Sequence, residues 1–355
     1  MIYEIYFNIT ICNDLTYNII KFGKKGDVIM GDVKTINSLM AYLRDEKNIE
    51  ISGSLHKRKL RNLGYYHGYK GYRFIKSTNN PMNISNFDEV IALNNFDMQL
   101  KSLFYSKIMF LETALKNYTL EIILKESNSS SFNVIYEKVL TEYKHKKVGS
   151  DNYNKLYKER LKVRDTIYKT LTREYSHKRT VVEHFYNKDM QVPIWAIFET
   201  ITLGEFGNFV NCMDRNVRVK LSNELKLNRA LDPVGTLVGE MIFILKELRN
   251  ALAHNNVVFD CRFKARSINK TLITCLEKDM KITGINFNTI IDYIILIVYL
   301  SKNLKVTKTE LNTFVNSFEI MANELRDKIN ISEYNKILYT DTKNKIKLLK
   351  DYIKL

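Results

Sequence analysis

Residues 232–254 read DPVGTLVGEMIFILKELRNALAH, an apolar run that starts with Asp-Pro and ends in polar and charged residues. The Asp-Pro pair is typical of a helix start, with Asp as the N-cap and Pro in the first helical turn. We therefore predict a helix from Val234 to about His254, ended by the Asn pair at 255–256. At 1.5 Å per residue it would be about 30 Å long, which makes it a central element of the fold.

The end of this predicted helix carries Arg249, Asn250 and His254. An arginine holds a phosphate with a planar fork of donors, and a histidine can transfer a proton near neutral pH. RNA carries its own nucleophile in the 2′-hydroxyl, so such a pair can cleave RNA without a metal. We interpret Arg249 and His254 as catalytic, and Asn250 as a supporting residue that orients His254 or caps the helix. An Arg and a His at this spacing also occur by chance, and cations are common at helix C-termini.

The spacing of the pair raises a geometric question. Side chains five positions apart diverge by about 140° on an ideal helix, so Arg249 and His254 cannot both face one phosphate from a regular helix. Either the helix loosens at Ala253-His254, or two copies of the motif face each other across a twofold homodimer formed through this helix. The dimer suits a nuclease better: one histidine takes the 2′-OH proton, Arg249 stabilises the phosphoryl charge, and the second histidine protonates the leaving 5′-oxygen.

The charge of the chain favours an anionic partner. Among 355 residues, 55 are Lys or Arg and 39 are Asp or Glu, a formal charge of +16. Nucleic acid is the commonest partner of such a surface, although solubility alone is the alternative.

Two basic stretches are candidate RNA-binding segments. Residues 51–76 interleave basic and aromatic side chains and contain no acidic residue, while residues 144–179 hold 12 Lys or Arg against four acidic residues. Basic groups reach phosphates and aromatic rings stack on unpaired bases, but the rings could equally face a core, and a charged helix is often only a solvated arm. The predicted RNA-binding residues are Lys57, Arg58, Lys59, Arg61, Tyr65, Tyr66, Lys70, Arg73, Lys144, Lys146, Lys147, Arg160 and Arg164.

Other chemistries find little support in the sequence. The four cysteines form no CxxC pair, which favours reduced, mostly buried thiols, and His145, His177 and His184 have no partners at metal-ligand spacing. There is no Walker, Rossmann or HExxH motif. We therefore expect no metal and no cofactor. The apolar run at 290–300 is too short to cross a bilayer, and the start, Met1-Ile2-Tyr3-Glu4, lacks the basic region of a signal peptide. We therefore expect no signal peptide, and a cytoplasmic protein without a membrane partner.

The scarcity of helix breakers predicts a mainly α protein, since only three Pro and 13 Gly occur. We expect an N-terminal arm over 1–34, whose β-forming residues and Lys-Lys-Gly-Asp turn suggest a β-hairpin; a basic, aromatic helical segment over 35–90; and a helical domain over 91–355 with a charged helical insertion near 134–186. The predicted helices start near Thr35, cover 56–63 and 96–125, form one or two helices in 134–186, restart at Pro193, and include two more in the last 65 residues.

Four separated motifs resemble one family. They are Arg61-Asn62-Leu63-Gly64-Tyr65-Tyr66 with Gly68, Tyr69 and Tyr72; Asn95-Phe96-Asp97-Met98-Gln99-Leu100; Pro193-Ile194-Trp195-Ala196 through Leu203-Gly204-Glu205-Phe206-Gly207; and Leu248-Arg249-Asn250 with Ala253-His254. In this order they resemble the AbiD/AbiF-like group of the Abi family of bacterial abortive-infection proteins, over about residues 35–262.

The resemblance implies a HEPN-like helical bundle with a small N-terminal α or α/β extension, in which the Arg–His motif is the ribonuclease centre of a dimer. It also implies a role in phage defence and a small structured noncoding RNA that restrains the toxin. Where the family often has a second His, this chain has Asn255. Two alternatives stay open: a non-catalytic protein that sequesters RNA, and a helical protein that senses a phage component.

Overall fold

The computed structural model describes residues 17–22, 28–228 and 230–355, and helices dominate these residues, which confirms the mainly α class. Two strands precede the helices: β1 (Tyr17–Phe22) pairs antiparallel with β2 (Val28–Lys34). The β-forming residues 2–11 and the turn at 24–27, on which the predicted hairpin was based, lie outside the described residues.

Fifteen α-helices lie within the described part of the chain. They are α1 (Ile36–Ala41), α2 (Gly53–Tyr65), α3 (Phe87–Ser127), α4 (Phe132–Lys138), α5 (Asp151–Ser176), α6 (Thr180–Tyr186), α7 (Ile194–Thr200), α8 (Leu203–Cys212), α9 (Arg215–Glu224), α10 (Leu237–Ala253), α11 (Lys270–Met280), α12 (Ile290–Asn303), α13 (Lys308–Arg326), α14 (Ile331–Leu338) and α15 (Thr342–Lys354). Short π-helical turns follow α1 and α2, and a 3₁₀ turn, Glu142–His145, precedes α5.

The chain divides into two compact units. Of the described residues, those up to 96 and 324–333 form the first unit, and those in 97–323 and 334–355 form the second. In the first unit, the structure explains why two positions of the first motif, which runs from Arg61 to Tyr72, are glycines. Gly64 interrupts α2 with a φ of +70°, and a Cβ on Gly68 would lie 2.7 Å from Leu60 Cδ1. The motif therefore shapes a tight, aromatic turn at the end of α2.

In the second unit, α8 packs closely against α10 because both helices carry a glycine at the crossing. A Cβ on Gly207 would lie 3.0 Å from a Phe243 ring atom and 3.1 Å from Ile242 Cγ2. On the other helix, a Cβ on Gly239 would lie 2.2 Å from Asn211 Oδ1. Gly207, the last residue of the third motif, thus determines how closely α8 approaches α10, the helix that carries Arg249.

The most apolar helix, α12, is buried rather than exposed to lipid, with residues 290–301 all buried. Asp292, which interrupts its apolar run, accepts hydrogen bonds from the Asn286 and Phe287 amides at 3.0 and 2.8 Å. Its other oxygen lies 2.9 Å from the ammonium of Lys345 on α15. None of the described helices combines the length and apolarity needed to cross a membrane.

Several predicted helix bounds were wrong, and the clearest case is α10. It begins at Leu237 rather than Val234, because Gly235 has a φ of +67° that a helix does not admit. The Asp232 carboxylate still caps the helix, from a turn ahead of it: its oxygens accept the amides of Thr236 at 2.7 Å and Leu237 at 3.3 Å. With 17 residues, α10 is about 25 Å long.

Other predicted helix bounds also differ from those in the structure. Helix α3 begins at Phe87, nine residues before the predicted start at Phe96. Pro193 is the N-cap of α7 and not its first helical residue. The stretch 134–186 contains three helices rather than one or two, with breaks at Gly149 and Lys178, which both have positive φ. Three helices, α13 to α15, start within the last 65 residues, where two were predicted.

Candidate functional site

The end of α10 is built by its backbone. His254 is the C-cap, with φ of −96° and ψ of 12°, and Asn255 follows with a φ of +52°. The amides of Asn255 and Asn256 donate to the carbonyls of Leu252 and Ala251 at 3.3 and 2.9 Å. This pair of bonds is a Schellman motif, which ends a helix by turning the chain through a left-handed residue. His254 therefore lies outside the regular helix, at the point where the sequence allowed the helix to loosen.

Arg249 lies just before the last turn of α10 and is loosely held. Its side chain is 34% exposed, and its Nε lies 3.9 Å from Glu112 Oε2, too far for a tight ion pair. Its Nη1 donates to Asn250 Oδ1 at 3.5 Å. The guanidinium thus keeps donors for a ligand, with only a long contact to the Glu112 carboxylate.

Glu112 is fixed by its own helix. Its Oε1 lies 3.0 Å from the Lys116 ammonium, one turn later on α3, and Lys116 also donates to the carbonyl of Ile201 at 2.9 Å. Both side chains are less than 15% exposed. Charged groups so far from water need partners. The second oxygen of Glu112 accepts no hydrogen bond from the described residues and lies 3.9 Å from Arg249 Nε.

The predicted base, His254, is exposed, and its imidazole makes no hydrogen bond or ion pair with the residues that the structure describes. Asn250 bonds to Arg249 rather than to the imidazole; its link to His254 is the backbone bond from His254 N to Asn250 O, 3.0 Å long. An imidazole in this position is open to solvent and to a ligand.

Behind this tip, the chain is clamped by a buried carboxylate that sequence reasoning did not assign a role. Asp97, which is 0% exposed, accepts the amides of Val258 and Phe259 through Oδ1 at 2.7 and 3.0 Å. Its Oδ2 lies 2.7 Å from the ammonium of Lys101. Lys101 in turn donates to Asn255 Oδ1 at 2.7 Å. The Asp97–Lys101 clamp therefore fixes the backbone on the far side of His254.

The four positioning residues Asp97, Lys101, Glu112 and Lys116 share a signal that was present in the sequence. Each acid stands four residues before a lysine on one helix, an arrangement that places the two on one face. Asp97 also lies in one of the four motifs. What the spacing could not give is the partner, since Val258 is 161 residues away from Asp97.

The first set of predicted RNA-binding residues belongs to the first unit, on α2 and the turns after it. Arg58, Lys59, Arg61 and Lys70 are exposed, and Tyr66 is 48% exposed. Lys57, Tyr65 and Arg73 are partly exposed. The neighbouring rings of Tyr69 and Tyr72 are buried, and the Tyr72 hydroxyl accepts a hydrogen bond from Asn94 at 3.0 Å. The charges of this stretch are accessible, whereas only some of its rings are.

The second set lies in the second unit, around the start of α5. Lys144, Lys146, Lys147 and Arg164 are exposed. Arg160 differs: it is 8% exposed, its Nη2 donates to the Tyr136 carbonyl at 2.8 Å, and its guanidinium lies 3.6 Å from the Tyr136 ring centroid. Its charge is used inside the unit and is not part of the exposed basic surface.

His145 and the three described cysteines have structural surroundings. His145 Nε2 lies 2.8 Å from Asp214 Oδ2, and Cys212, Cys261 and Cys275 are buried. Burial raises the pKa of Cys212 to about 12. Cys12 lies outside the described residues. No group of three His, Cys, Asp or Glu side chains in the described part of the chain is arranged to hold a metal ion.

Residues 58–260, more than half of the chain, match the model of a family described as Abi-like protein. The matched region includes the Asp97–Lys101 clamp, the whole of α10 and the Arg249/His254 tip. No curated protein and no solved structure matches the chain significantly.

Proposed function

Since the chain belongs to the Abi-like protein family, which links it to abortive infection and thus to phage defence, we propose that it is an endoribonuclease toxin of such a defence system. Arg249 and His254 are its catalytic residues in this proposal, with Asn250 in support. The observation that carries the proposal is the tip of α10, where an exposed imidazole and a loosely paired guanidinium stand beside a rigidly bonded backbone. Few structural roles call for a His and an Arg left so free.

The reaction follows from the chemistry of the two groups. One imidazole takes the proton from a ribose 2′-hydroxyl, and the 2′-oxygen forms a bond to the adjacent phosphorus as the bond to the 5′-oxygen breaks. Arg249 stabilises the charge on the phosphoryl oxygens with its free donors. An imidazolium protonates the leaving 5′-oxygen. The products are a 2′,3′-cyclic phosphate and a 5′-hydroxyl, and no metal enters the balance.

The two proton transfers are best served by two histidines, so the proposal includes a homodimer that brings two α10 tips together. An exposed apolar stripe on α3 supports it. Met98 is 46% and Tyr105 is 59% exposed, and they share a helical face with Met109 and Glu112, the carboxylate nearest Arg249. An apolar stripe beside a catalytic pair suits an interface that joins two such pairs.

The dimer can be tested with two matched variants of α3. Tyr105→Glu places a charge in the stripe, whereas Phe110→Glu places one at a similarly exposed position, 41% exposed, on another face of the helix. We expect Tyr105→Glu to give monomers in sedimentation velocity and to lose RNA cleavage, and Phe110→Glu to leave both unchanged. A Tyr105→Glu variant that is monomeric yet fully active would remove the dimer from the mechanism.

RNA is both substrate and regulator in this proposal: a small structured noncoding RNA binds the basic surface and restrains the enzyme. The exposed charges on α2 support the binding. Replacing Lys57, Arg58, Lys59 and Arg61 by Glu should remove most RNA binding and lower the slope of log affinity against log salt by roughly 0.7–0.9 for each phosphate that the variant no longer binds. Raised toxicity would indicate a restraining RNA, and lowered toxicity a path for substrate.

The catalytic assignment is tested in cells and on a gel. His254→Ala and Arg249→Lys should each abolish growth arrest on overexpression and strongly reduce cleavage of labelled RNA. Alanine cannot transfer a proton, and the point charge of a lysine does not replace a bidentate fork. Asn256→Ala is the matched control, since this exposed residue adjoins the same turn. Cleavage should persist in chelator. A His254→Ala protein that remains toxic at equal expression would favour the alternative, a protein that sequesters RNA without cutting it.

A further inference from the structure

Three tyrosine rings form a partly exposed platform in the second unit. Tyr143 lies in the 3₁₀ turn, and Tyr153 and Tyr157 lie one turn apart at the start of α5. The Tyr143 centroid is 5.5 Å from that of Tyr153 and 5.0 Å from that of Tyr157, and the Tyr153 and Tyr157 rings are parallel within 3° at 6.0 Å. None of the three side chains is fully buried. We call these three residues the tyrosine platform.

The platform has a rigid base. The buried guanidinium of Arg160 lies 3.6 Å from the Tyr136 ring centroid, 5.1 Å from that of Tyr143 and 5.9 Å from that of Tyr157. Its Nη2 is bonded to the Tyr136 carbonyl. One cation therefore holds the turn and α5 together from below, so the rings need little ordering when a ligand arrives.

A surplus of positive charge surrounds the rings. Besides the buried Arg160, residues 144–164 contain seven Lys or Arg and only two acidic residues, Asp151 and Glu159. The carboxylate of Glu142, next to Tyr143, is turned away toward Arg215 and Arg218, at 3.5 and 3.1 Å. The exposed lysines around the platform are Lys144, Lys146, Lys147, Lys155 and Lys158.

We propose that the tyrosine platform stacks unpaired bases of single-stranded RNA while the surrounding lysines bind the flanking phosphates. The inference rests on the proposed function, in which RNA is the partner, and it adds which part of the RNA is held and where. Ring faces stack on base faces, and in a duplex the base faces are already stacked inside the helix. A polyanion is the ligand that the lysine surplus selects, and stacking makes the interaction tolerant of base sequence.

The experiment uses the full chain with His254→Ala, so that RNA is not consumed, and measures the affinity for an unstructured 12-nucleotide RNA and for a blunt duplex. The variant is Tyr153→Ala with Tyr157→Ala. Tyr153→Phe with Tyr157→Phe keeps the rings, and Tyr168→Ala removes a ring that is 44% exposed elsewhere on α5. Circular dichroism checks the fold of each protein.

We expect the double Ala variant to weaken single-strand binding about tenfold or more for each stacked base that it can no longer hold, with an unchanged salt slope. The double Phe variant and Tyr168→Ala should bind as the parent does, and duplex affinity should change little in any of them. Replacing Lys144, Lys146 and Lys147 by Gln should instead lower the salt slope, by roughly 0.7 for each phosphate that these lysines bind in the parent.

The proposal is overturned if the folded double Ala variant binds the single strand with unchanged affinity, if the double Phe variant loses as much, or if duplex binding falls equally. These outcomes are separate from the fate of the nuclease. If the protein cleaves RNA but the platform makes no difference to binding, only this inference fails. If the protein does not cleave RNA but needs the platform to bind it, only the catalytic proposal fails.

Discussion

The tip of α10 and the segment just after it are held in opposite ways. At the tip, His254 is exposed and the carboxylate nearest to Arg249 Nε is 3.9 Å away. Four residues after His254, Val258 is 0% exposed and its amide is bonded to a carboxylate that is itself 0% exposed. The fold thus leaves two side chains free by fixing the backbone next to them. Side chains next to such a fixed backbone are held in place while their polar atoms stay available to a ligand.

Two arginines make the same point. Arg160 stands in a basic stretch that the sequence marks as a candidate RNA-binding segment, and Arg249 is the candidate catalytic arginine. Arg160 stacks on a tyrosine and bonds to a carbonyl, and it is 8% exposed. Arg249 has a 34% exposed side chain with one long ion pair. Positive charge in a sequence therefore does not say how much of it is left for a ligand.

The largest contrast is expected for His254→Ala. We expect the rate of RNA cleavage to fall by about 10²–10⁴-fold, the usual worth of a general acid–base group, while the free energy of unfolding changes by less than about 1 kcal/mol. Single-turnover cleavage and urea unfolding of the same preparation measure the two effects. A loss of stability as large as that of a buried residue would show that the tip is structural.

For Asp97, behind the tip, we expect a large loss of stability. Asp97→Asn leaves the Lys101 ammonium buried without its carboxylate, which should cost about 3–5 kcal/mol of unfolding free energy. Cleavage should fall too, because the backbone next to His254 loses its anchor.

A second substitution provides the control for that prediction. Asp97→Asn combined with Lys101→Met removes the orphaned charge, and we expect it to recover part of the stability. If Asp97→Asn unfolds as the parent does, the clamp does not hold the segment, and the contrast between the two regions disappears.

A smaller effect is expected where α8 meets α10. Gly207→Ala puts a methyl group 3.0 Å from Phe243 and 3.1 Å from Ile242, and overpacking of this kind costs about 1–3 kcal/mol. Gly204→Ala is the matched control, since its methyl group would lie 3.4 Å from the flexible side chain of Lys246. Thermal unfolding should separate the two variants. Equal melting temperatures would show that the crossing is not tight.

The smallest effect is expected at Asp214, a carboxylate that is less buried than Asp97. It accepts a hydrogen bond from the Asn216 amide at 2.9 Å and pairs with His145. Burial acts to raise its pKa, but the Asn216 amide and His145 outweigh it, so the pKa is lowered from the usual 3.8. A lowered folded-state pKa gives stability that is present above the ordinary value and lost as the pH falls through the lowered one.

The corresponding experiment compares the parent with Asp214→Asn by chemical unfolding. The parent should be more stable at pH 6, and its advantage should shrink as the pH falls below about 4. An advantage that grows toward acid pH would reverse the sign of the argument.

The sequence predicted the helical class and the existence of the Arg249-bearing helix, because apolar periodicity and the lack of Pro and Gly are local signals. It misplaced the start of that helix, because the Asp232 carboxylate caps from within a preceding turn. It did not find the Asp97 clamp, since the amides it binds lie more than 160 residues away. It could not see that Arg160 is buried, because that depends on how Tyr136 packs against α5. Local sequence patterns therefore predict the helices, whereas contacts between distant residues determine which side chains remain available to a ligand.

The most direct test of the central claim uses a DNA oligonucleotide that contains one ribonucleotide, compared with the same oligonucleotide 2′-O-methylated at that position. If His254 activates a 2′-hydroxyl, the protein cuts only the unmodified oligonucleotide, 3′ of the ribonucleotide, and leaves a 2′,3′-cyclic phosphate that mass spectrometry identifies. Cleavage of the methylated oligonucleotide at the same rate, or equal cleavage by His254→Ala, would contradict the assignment of Arg249 and His254 as a ribonuclease centre.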